Sequence, residues 1–225
     1  MSGAAESKSD QYRRKASGWS DAEYADGRTY LARRAELVVS LGPRLHSGDT
    51  VLDLACGDGG LGALLLEEGI AYHGVDTTAE MVTAARQRLG DDAVIEHADL
   101  NDYVPAAPVT ATTVFRAVYY ARDRRAFFEH VASYTAGKLV FDLNPRQYRV
   151  DDVLADLRAA GFDHVDVRPF FVPQRVALPH PLAALLRLFE RSGPVARFAL
   201  RFRFTYVVAA SRVSRRQISR RQPEP

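Results

Sequence analysis

The sequence predicts an α/β protein in which helices cover both faces of a doubly wound, mostly parallel sheet. Two observations carry this prediction. From Thr50 onward, short apolar runs rich in valine, leucine and isoleucine alternate with longer segments of helical periodicity. A tight glycine turn also follows the first apolar run, which is where sheets of this kind hold a ligand. With 225 residues, of which 47% are hydrophobic, the chain is long enough to bury such a core.

Seven strands are expected, with helices between them. Five apolar runs predict parallel strands at 51–55, 71–75, 93–97, 110–115 and 138–143. Helical patterns lie at 60–68, 78–89, 122–134 and 149–160. The last of these patterns ends at Gly161, a residue type that commonly terminates helices. Two further apolar runs predict the final strands, at 163–172 and 201–210.

We interpret the chain as one domain with additions at its ends. The domain spans 45–211 and follows an N-terminal helical extension or lid over 1–44, in which residues 21–42 keep a helical period. Residues 181–192 carry leucines at helical spacing between the last two strands, and they predict a cap helix over a site. The segment 212–225 holds five arginines against one glutamate and is expected to be a basic, disordered tail.

Composition excludes several classes of protein. The formal net charge is +2 and its positive excess lies in the tail, whereas a dedicated nucleic-acid binder carries basic residues on its folded surface. The single cysteine, Cys56, excludes an internal disulfide framework and leaves too few thiolates for a zinc cage, so no metal site is predicted. The sequence shows neither a membrane-spanning apolar stretch nor a signal peptide. We therefore expect a cytoplasmic protein without a nucleic-acid partner, and homo-oligomerisation is left open.

The glycine turn carries the strongest functional signal. Gly57, Gly59 and Gly62 match the pattern G-x-G-x-x-G, and Asp76 lies at the end of the second predicted strand. Such a turn presents backbone N–H groups to a ligand, and a carboxylate at that strand end can accept both hydroxyls of a ribose. This pattern alone fits a nicotinamide dinucleotide as well as other nucleosides.

Asp53, two residues before the turn, separates these interpretations. Its carboxylate would repel a pyrophosphate but attract a cationic or amino-bearing ligand. The run Asp53, Ala55, Gly57 and Gly59 resembles motif I of the class I S-adenosylmethionine (SAM)-dependent methyltransferases, acidic-x-Gly-x-Gly-x-Gly, with Ala55 in place of the first glycine. The small-for-small replacement is one that the fold should tolerate.

The resemblance extends beyond the turn. It continues through Gly74-Val-Asp-Thr77 and His97-Ala-Asp-Leu100, and it covers about residues 45–145 with three motifs in order. It implies a Rossmann-like sheet of seven strands whose last strand is antiparallel, SAM as the cofactor, and methyl transfer to a small molecule. The cofactor-binding residues that it implies are Asp53, Ala55, Cys56, Gly57, Gly59, Asp76, Thr77, Met81, Asp99 and Leu100.

The resemblance also implies a role for each part of this set. The backbone of 55–57 would contact the methionine part of the cofactor, with Asp53 near its amino group. Asp76 would hold the ribose hydroxyls. Thr77 and Met81 would flank the adenine, and the adenine amino group and a ring nitrogen would be met by Asp99 and by the amide of Leu100.

Residues for the methyl acceptor should follow the fourth and fifth strands, because open α/β sheets bind ligands at the carboxyl ends of their strands. Arg116 and Arg146 lie there, and they could anchor an anionic carboxylate or phosphate, or form structural salt bridges. If the reaction uses a general base, the candidates are Tyr119, Tyr120 and His130.

An apolar set of side chains is expected around the mouth of the site. It includes Trp19 and Tyr24 near the N-terminus and Leu185 and Phe189 in the predicted cap helix. These side chains favour an apolar or aromatic acceptor, lipid-like or polyketide-like, although they could equally close a lid onto the core or form a dimer contact. Two other functions stay open: an NAD(P)-dependent oxidoreductase, and a SAM-binding protein without catalytic activity.

Overall fold

The computed structural model describes residues 27–170 and 205–212, together with Leu185 and Leu188. Strands and helices alternate through most of this part. In chain order the elements are α1 (Gly27–Ser40), β1 (Thr50–Leu54), α2 (Gly60–Glu67), β2 (Ala71–Asp76), α3 (Ala79–Leu89), β3 (Ala93–His97), β4 (Val109–Val114), α4 (Arg124–Tyr134), β5 (Thr135–Leu143), α5 (Val150–Ala159), β6 (His164–Pro169) and β7 (Tyr206–Ser211). Short 3-10 turns lie at Gly90–Asp92 and Val118–Tyr120.

The strands form one seven-stranded sheet in the order β3-β2-β1-β4-β5-β7-β6. Strands β1 to β5 pair in parallel, whereas β7 runs antiparallel to both of its neighbours, β5 and β6. The chain order reverses at β1 and β4, which lie side by side at the centre and create the crevice in which such sheets bind ligands. The predicted fold class, with its antiparallel last strand, is confirmed.

Both faces of the sheet are buried, as a parallel sheet requires. On one face the strands pack against apolar side chains of α1, α2 and α3, including Val38, Leu65 and Val82. On the other face they pack against α4 and α5 through side chains such as Phe128 and Leu157. Helix α4 begins later than the predicted residue 122, because the Asp123 side chain accepts a hydrogen bond from the Ala126 N–H at 2.8 Å and caps the first turn.

Helix α1 is anchored to the sheet by a buried charge. The Lys138 side chain on β5 is wholly buried, and its Nζ donates to the carbonyl oxygens of Leu41 at 2.7 Å and Val39 at 3.3 Å. A cation at this end of a helix also interacts favourably with the helix dipole. The described part of the predicted extension over 1–44 therefore packs into the core of the protein.

Several predictions fall wholly or largely outside the described residues. These are Trp19, Tyr24, Phe189, most of the cap helix over 181–192, and the tail after Arg212. Within that cap segment, Leu185 and Leu188 are helical, and their side chains are 45% and 64% exposed. No helix in the described ranges is both long enough and apolar enough to cross a membrane.

Candidate active site

A cavity of about 480 Å³ lies at the carboxyl ends of β1, β2, β3 and β4. This is the edge at which open α/β sheets hold their ligands. Nine of the ten predicted cofactor-binding residues line the cavity: Asp53, Ala55, Cys56, Gly57, Asp76, Thr77, Met81, Asp99 and Leu100. The tenth, Gly59, lies elsewhere. These nine residues, which the sequence predicted as one set, therefore lie around one cavity.

The turn after β1 is held in a left-handed backbone conformation. Ala55, Gly57 and Gly59 have φ angles of 65°, 58° and 75°. Glycine adopts such angles freely, whereas Ala55 pays about 1–2 kcal/mol for its Cβ. The Cys56 N–H donates to the Val75 carbonyl at 2.9 Å and fixes the turn against the end of β2. The alanine that replaces the first motif glycine is accommodated, but at a cost.

The glycines of this turn have different structural roles. Gly57 lines the cavity, and a Cβ built there would meet no atom within 4 Å. A Cβ on Gly59 would lie 2.9 Å from Leu89 Cδ1, and one on Gly62 would lie 2.5 Å from Tyr72 Cε1. Gly59 and Gly62 thus let α2 pack closely on its neighbours. The ligand contact predicted for Gly59 stays a prediction, and the close approach seen at this position is one of helix packing.

Asp53 is a buried carboxylate with partners for both of its oxygens. Oδ2 accepts from the Tyr72 hydroxyl at 2.6 Å, and Oδ1 accepts from the Thr113 hydroxyl at 2.6 Å. Burial raises the pKa of Asp53 to about 6, against the opposing effects of the two hydrogen bonds and of Arg34. The side chain titrates close to neutrality, so a cation bound nearby would favour its charged form.

Asp76 ties the glycine turn to the end of β2. Its Oδ2 accepts from the Gly57 N–H at 3.0 Å and its Oδ1 accepts from the Thr78 N–H at 2.8 Å. Burial raises the pKa of Asp76, while these two N–H groups lower it. Each carboxylate oxygen has a second lone pair, so the group can order the turn and still accept hydrogen bonds from ligand hydroxyls.

Asp99 belongs to a polar network across the mouth of the cavity. Its Oδ1 accepts from the backbone and side-chain nitrogens of Asn101 at 2.8 and 2.7 Å, and these bonds hold the pKa of Asp99 below its usual value. Its Oδ2 accepts from Arg122 at 3.2 Å, and Arg122 also pairs with both oxygens of Asp102. Arg122 lines the cavity, and the sequence analysis missed it.

The opposite wall is built by α1 and by the segment after β4. The Arg34 side chain is 4% exposed, and its Nη2 donates to Asp142 Oδ2 at 2.9 Å. Its guanidinium carbon lies 4.5 Å from the centre of the Phe115 ring and 4.7 Å from that of Tyr30. Asp142 Oδ1 accepts from the Arg116 N–H at 2.6 Å. One carboxylate on β5 thus positions both α1 and the turn after β4.

Sequence reasoning missed Arg34 and Asp142, which lie 108 residues apart. One signal was available. Tyr30, Arg34, Leu37 and Leu41 recur at helical spacing, which places Arg34 on the buried face of α1. An arginine on an apolar face needs a buried partner, but the sequence does not say which carboxylate supplies it.

The remaining candidates are divided between the cavity and other places. Arg116 and Tyr120 line the cavity. Tyr119 is exposed and packs against the Tyr120 ring at 4.4 Å. Arg146 is exposed in a turn where its N–H donates to Asn144. His130 lies on α4 with Nε2 2.9 Å from the Tyr103 carbonyl.

Three of the candidate residues lie away from the described lining of the cavity. Tyr119, Arg146 and His130 are not among the described residues that line the cavity. Arg146 follows β5 as predicted, but the Asn144 turn leaves it at the surface. His130 lies on a helix that the sequence placed correctly, although its ring contacts a loop carbonyl and Tyr134.

Comparisons with known proteins agree with this site. Residues 51–137 match a family model described as a methyltransferase domain. The chain is similar to trans-aconitate 2-methyltransferase of Azoarcus sp. (strain BH72), with 42% identity over 96 residues, which cover 40% of this chain and 36% of that protein. The matched region therefore spans about a third of the length of that relative.

Two solved structures share the fold. One is a chain from the complex between the Haloferax volcanii Trm112 methyltransferase activator and a methyltransferase, with a TM-score of 0.63, 22% identity, and coverage of 92% of this chain and 99% of that one. The other is magnesium protoporphyrin IX methyltransferase from Synechocystis PCC 6803 with bound SAM, with a TM-score of 0.60, 16% identity, and coverage of 94% and 100%. At these identities the likeness is one of fold.

Proposed function

We propose that the chain is a class I SAM-dependent methyltransferase, an enzyme that transfers a methyl group from SAM to a small organic molecule. The methyltransferase-domain match over residues 51–137 and the 42% identity to a methyltransferase over 96 residues support this proposal. The observation that carries the proposal is that Asp53 and Asp76 line the same cavity as Gly57, whose N–H donates to Asp76. When bound, SAM supplies a methyl group on a positively charged sulfur. Two carboxylates beside an open backbone turn suit such a cationic nucleoside.

Each group at this wall has a task in the proposal. The backbone of Ala55 to Gly57 would contact the amino-acid part of the cofactor, and Asp53 would favour its ammonium group. Asp76 would accept from the ribose hydroxyls while it continues to hold the Gly57 N–H. The adenine would lie against Thr77, Met81, Asp99 and Leu100, which line the same side of the cavity.

The same wall disfavours the oxidoreductase alternative. A pyrophosphate beside Asp53 would meet a buried carboxylate, which costs electrostatic free energy. In the dinucleotide pattern the second glycine lets the backbone approach the pyrophosphate. Here that glycine is Gly59, whose missing side chain makes room for Leu89.

For the acceptor we propose a molecule with an apolar or aromatic part. Leu31, Phe115, Ala117 and Tyr120 line the cavity and offer such a part a matching surface. The names of the relatives do not choose the acceptor, since one is named for trans-aconitate and another for magnesium protoporphyrin IX. The chain's own contribution to catalysis would be to align the acceptor and exclude water.

The cofactor is tested by calorimetry with SAM, S-adenosylhomocysteine and NADH. We expect both sulfur nucleosides to bind and NADH not to bind. Asp76→Ala should weaken SAM binding by about 1.5–3 kcal/mol, the usual cost of losing a charge-assisted hydrogen-bond partner. Asp76→Asn, which keeps an acceptor for Gly57, should lose less. Glu96→Gln is the control, because Glu96 is a half-exposed carboxylate on β3 that does not line the cavity.

Methyl transfer needs a separate assay. The protein is incubated with methyl-labelled SAM and a small-molecule extract of the source organism, and label is followed into organic and aqueous fractions. Transfer to a small molecule supports the enzyme. Tight NADH binding without SAM binding would contradict the methyltransferase proposal, and SAM binding without any transfer would favour the non-catalytic alternative.

A further inference from the structure

Asp53 is held by hydroxyl groups from the two strands that flank its own. β1 lies between β2 and β4 in the sheet. The Tyr72 hydroxyl on β2 donates to Asp53 Oδ2 and the Thr113 hydroxyl on β4 donates to Asp53 Oδ1, each at 2.6 Å. This length is typical of a hydroxyl bound to an ionised carboxylate. We call the two hydroxyls of Tyr72 and Thr113 the clamp, because together they fix both oxygens of Asp53.

The third glycine of the G-x-G-x-x-G pattern makes room for one half of the clamp. A Cβ on Gly62 would lie 2.5 Å from Tyr72 Cε1 and 2.7 Å from Cζ, the ring carbon that carries the hydroxyl. Any side chain at this position would therefore displace the ring. Gly62 is not among the described residues that line the cavity, and its contribution to the site is the space through which Tyr72 reaches Asp53.

The clamp acts where water can contribute little. Asp53 and Tyr72 are each 3% exposed, and Thr113 is wholly buried. A carboxylate that leaves water loses the hydration that favours its charged form, and hydroxyl donors replace part of it. Burial and the nearby Asp53 charge raise the pKa of Tyr72, so this hydroxyl keeps its proton and continues to donate. Asp53 still lines the cavity, and each of its oxygens keeps a lone pair for a ligand donor.

We propose that Tyr72 and Thr113 are positioning residues that hold Asp53 for the ammonium group of the cofactor's amino-acid part. The inference rests on the proposed function, in which Asp53 favours that ammonium, and it adds the two residues on which the contact depends. A carboxylate that is already ordered loses little conformational entropy when the ligand binds. The clamp should therefore decide how well the protein distinguishes a nucleoside that carries the amino acid from one that lacks it.

Two nucleosides separate this role from a general effect on the fold. S-adenosylhomocysteine carries the amino-acid part, whereas 5′-methylthioadenosine has the same adenosine and sulfur but ends in a methyl group. In calorimetry at pH 6, we expect the wild-type protein to prefer S-adenosylhomocysteine by at least about tenfold. Tyr72→Phe and Thr113→Val remove one hydroxyl each with little change of shape. Each should weaken S-adenosylhomocysteine binding by at least about fivefold and leave methylthioadenosine binding within about twofold.

The chain offers matched controls for both variants. Tyr134→Phe removes a buried hydroxyl that has no hydrogen-bond partner in the described part of the chain. Thr112→Val removes a buried hydroxyl that bonds to the Thr135 hydroxyl at 2.6 Å. Neither Tyr134 nor Thr112 is among the described residues that line the cavity, so the preference between the nucleosides should stay at the wild-type value. Thr113→Ser keeps the donor and should keep the preference as well.

A pH profile gives a readout that a purely structural role would not move. Arg34 on α1, Asp76 at the end of β2 and the Cys56 thiol also interact electrostatically with Asp53, and the variants leave all three in place. Loss of a hydroxyl donor raises the pKa of Asp53, so S-adenosylhomocysteine affinity should begin to fall at a higher pH in Tyr72→Phe than in the wild type. In an Asp53→Asn background, Tyr72→Phe should weaken S-adenosylhomocysteine binding no further, since the clamp acts through that carboxylate.

The two proposals fail in different ways. If the wild-type protein binds neither SAM nor S-adenosylhomocysteine, the proposed function fails. If it binds S-adenosylhomocysteine no better than methylthioadenosine, or if the clamp variants weaken both nucleosides equally or neither of them, only the inference about the clamp is overturned. If one clamp variant does not fold, the other decides the test. Loss of folding in both would assign the hydroxyls to stability alone and would also overturn the inference.

Discussion

The two walls of the cavity are built in different ways. On the wall beside the glycine turn, which we call the β1–β3 side, backbone groups order the turn, as in the bond from Gly57 N–H to Asp76, 19 residues away. The longer-range contact there, from Thr113 to Asp53, joins two neighbouring strands of the sheet. On the opposite wall, formed by α1 and the segment after β4 and called here the β4–β5 side, side chains of β5 reach across the sheet to α1. Asp142 pairs with Arg34, 108 residues away, and Lys138 donates to the Leu41 carbonyl at the end of α1. A short sequence motif is enough to specify the glycine turn of the first wall. The second wall depends on which helix packs against the sheet, so no short motif specifies it. Changes to one wall should therefore affect one ligand and leave the other nearly untouched.

The largest effect is expected at Asp142. Asp142→Asn removes a carboxylate charge that pairs with buried Arg34, and loss of one partner of a buried ion pair typically costs about 3–5 kcal/mol in the free energy of unfolding. Urea denaturation measures it. Asp152→Asn serves as control, because that carboxylate is 57% exposed and 3.8 Å from Arg149, and its loss should change stability little.

The same variant also tests the separation of the walls. Under conditions where it stays folded, Asp142→Asn should impair methyl transfer more than SAM binding. If it denatures at the wild-type urea concentration, the buried pair does not hold α1 and the comparison between the walls loses its basis.

On the β1–β3 side, the affinity for SAM should depend on pH through Asp53. The pKa of this carboxylate is about 6 in the free protein, and a bound cation would lower it. SAM binding would then release a proton below pH 6, and affinity should rise as the pH rises through 6 and level off above it. Between pH 5 and 7 the gain would be up to about tenfold, or about 1.4 kcal/mol.

Calorimetry at both pH values, in buffers of different ionisation enthalpy, measures the affinity and the proton released. Asp53→Asn should bind SAM with a flatter pH profile. An unchanged profile in that variant would assign the pH dependence to another group and remove Asp53 from the cofactor contact.

Lys138 gives a pH test of the opposite wall. Burial lowers the pKa of this lysine to about 8 from 10.5, so between these values the unfolded chain binds more protons there than the folded one. The stabilising contribution is complete above the unfolded pKa and is lost as the pH falls through 8. Between pH 7.5 and 9 the free energy of unfolding should rise by about 1 kcal/mol from this residue.

The measurement is the difference in the free energy of unfolding between wild type and Lys138→Met across that pH range. Taking this difference cancels the contributions of groups that titrate in both proteins. One such group is Cys56, whose burial raises the pKa of its thiol. Parallel pH profiles for the two proteins would mean that the Lys138 ammonium has the same pKa in the folded and unfolded states. SAM affinity should stay the same in the variant, because Lys138 supports only α1.

The contrast between the walls also explains what the sequence could predict. The alternation of strands and helices, the turn at Gly57 and the carboxylate at Asp76 depend on short-range patterns. The fold that they indicated is confirmed, and residues 51–137 match a methyltransferase-domain model. Arg34 and Asp142 meet only after β5 is placed beside β4, so no local pattern pairs them. Gly59 shows the limit within the motif itself, since a glycine that lets helices pack and one that faces a ligand look alike in sequence.

The smallest expected change in stability concerns one left-handed backbone position on each wall. Ala55 and Arg116 are the non-glycine residues with left-handed φ angles in the described ranges, at 65° and 56°. Ala55→Gly should stabilise the protein by about 0.5–1 kcal/mol, since relief of the Cβ contact exceeds the entropy that glycine adds to the unfolded chain. Both ligands should still bind, because that wall uses backbone groups. Arg116→Gly relieves the same conformation but also removes a side chain that lines the cavity, so it should gain less stability. Thermal melts and calorimetry with SAM on both variants test this. A lower melting temperature for Ala55→Gly would mean that the left-handed angle at Ala55 stores no strain, and equal gains in the two variants would mean that the Arg116 side chain contributes nothing to stability.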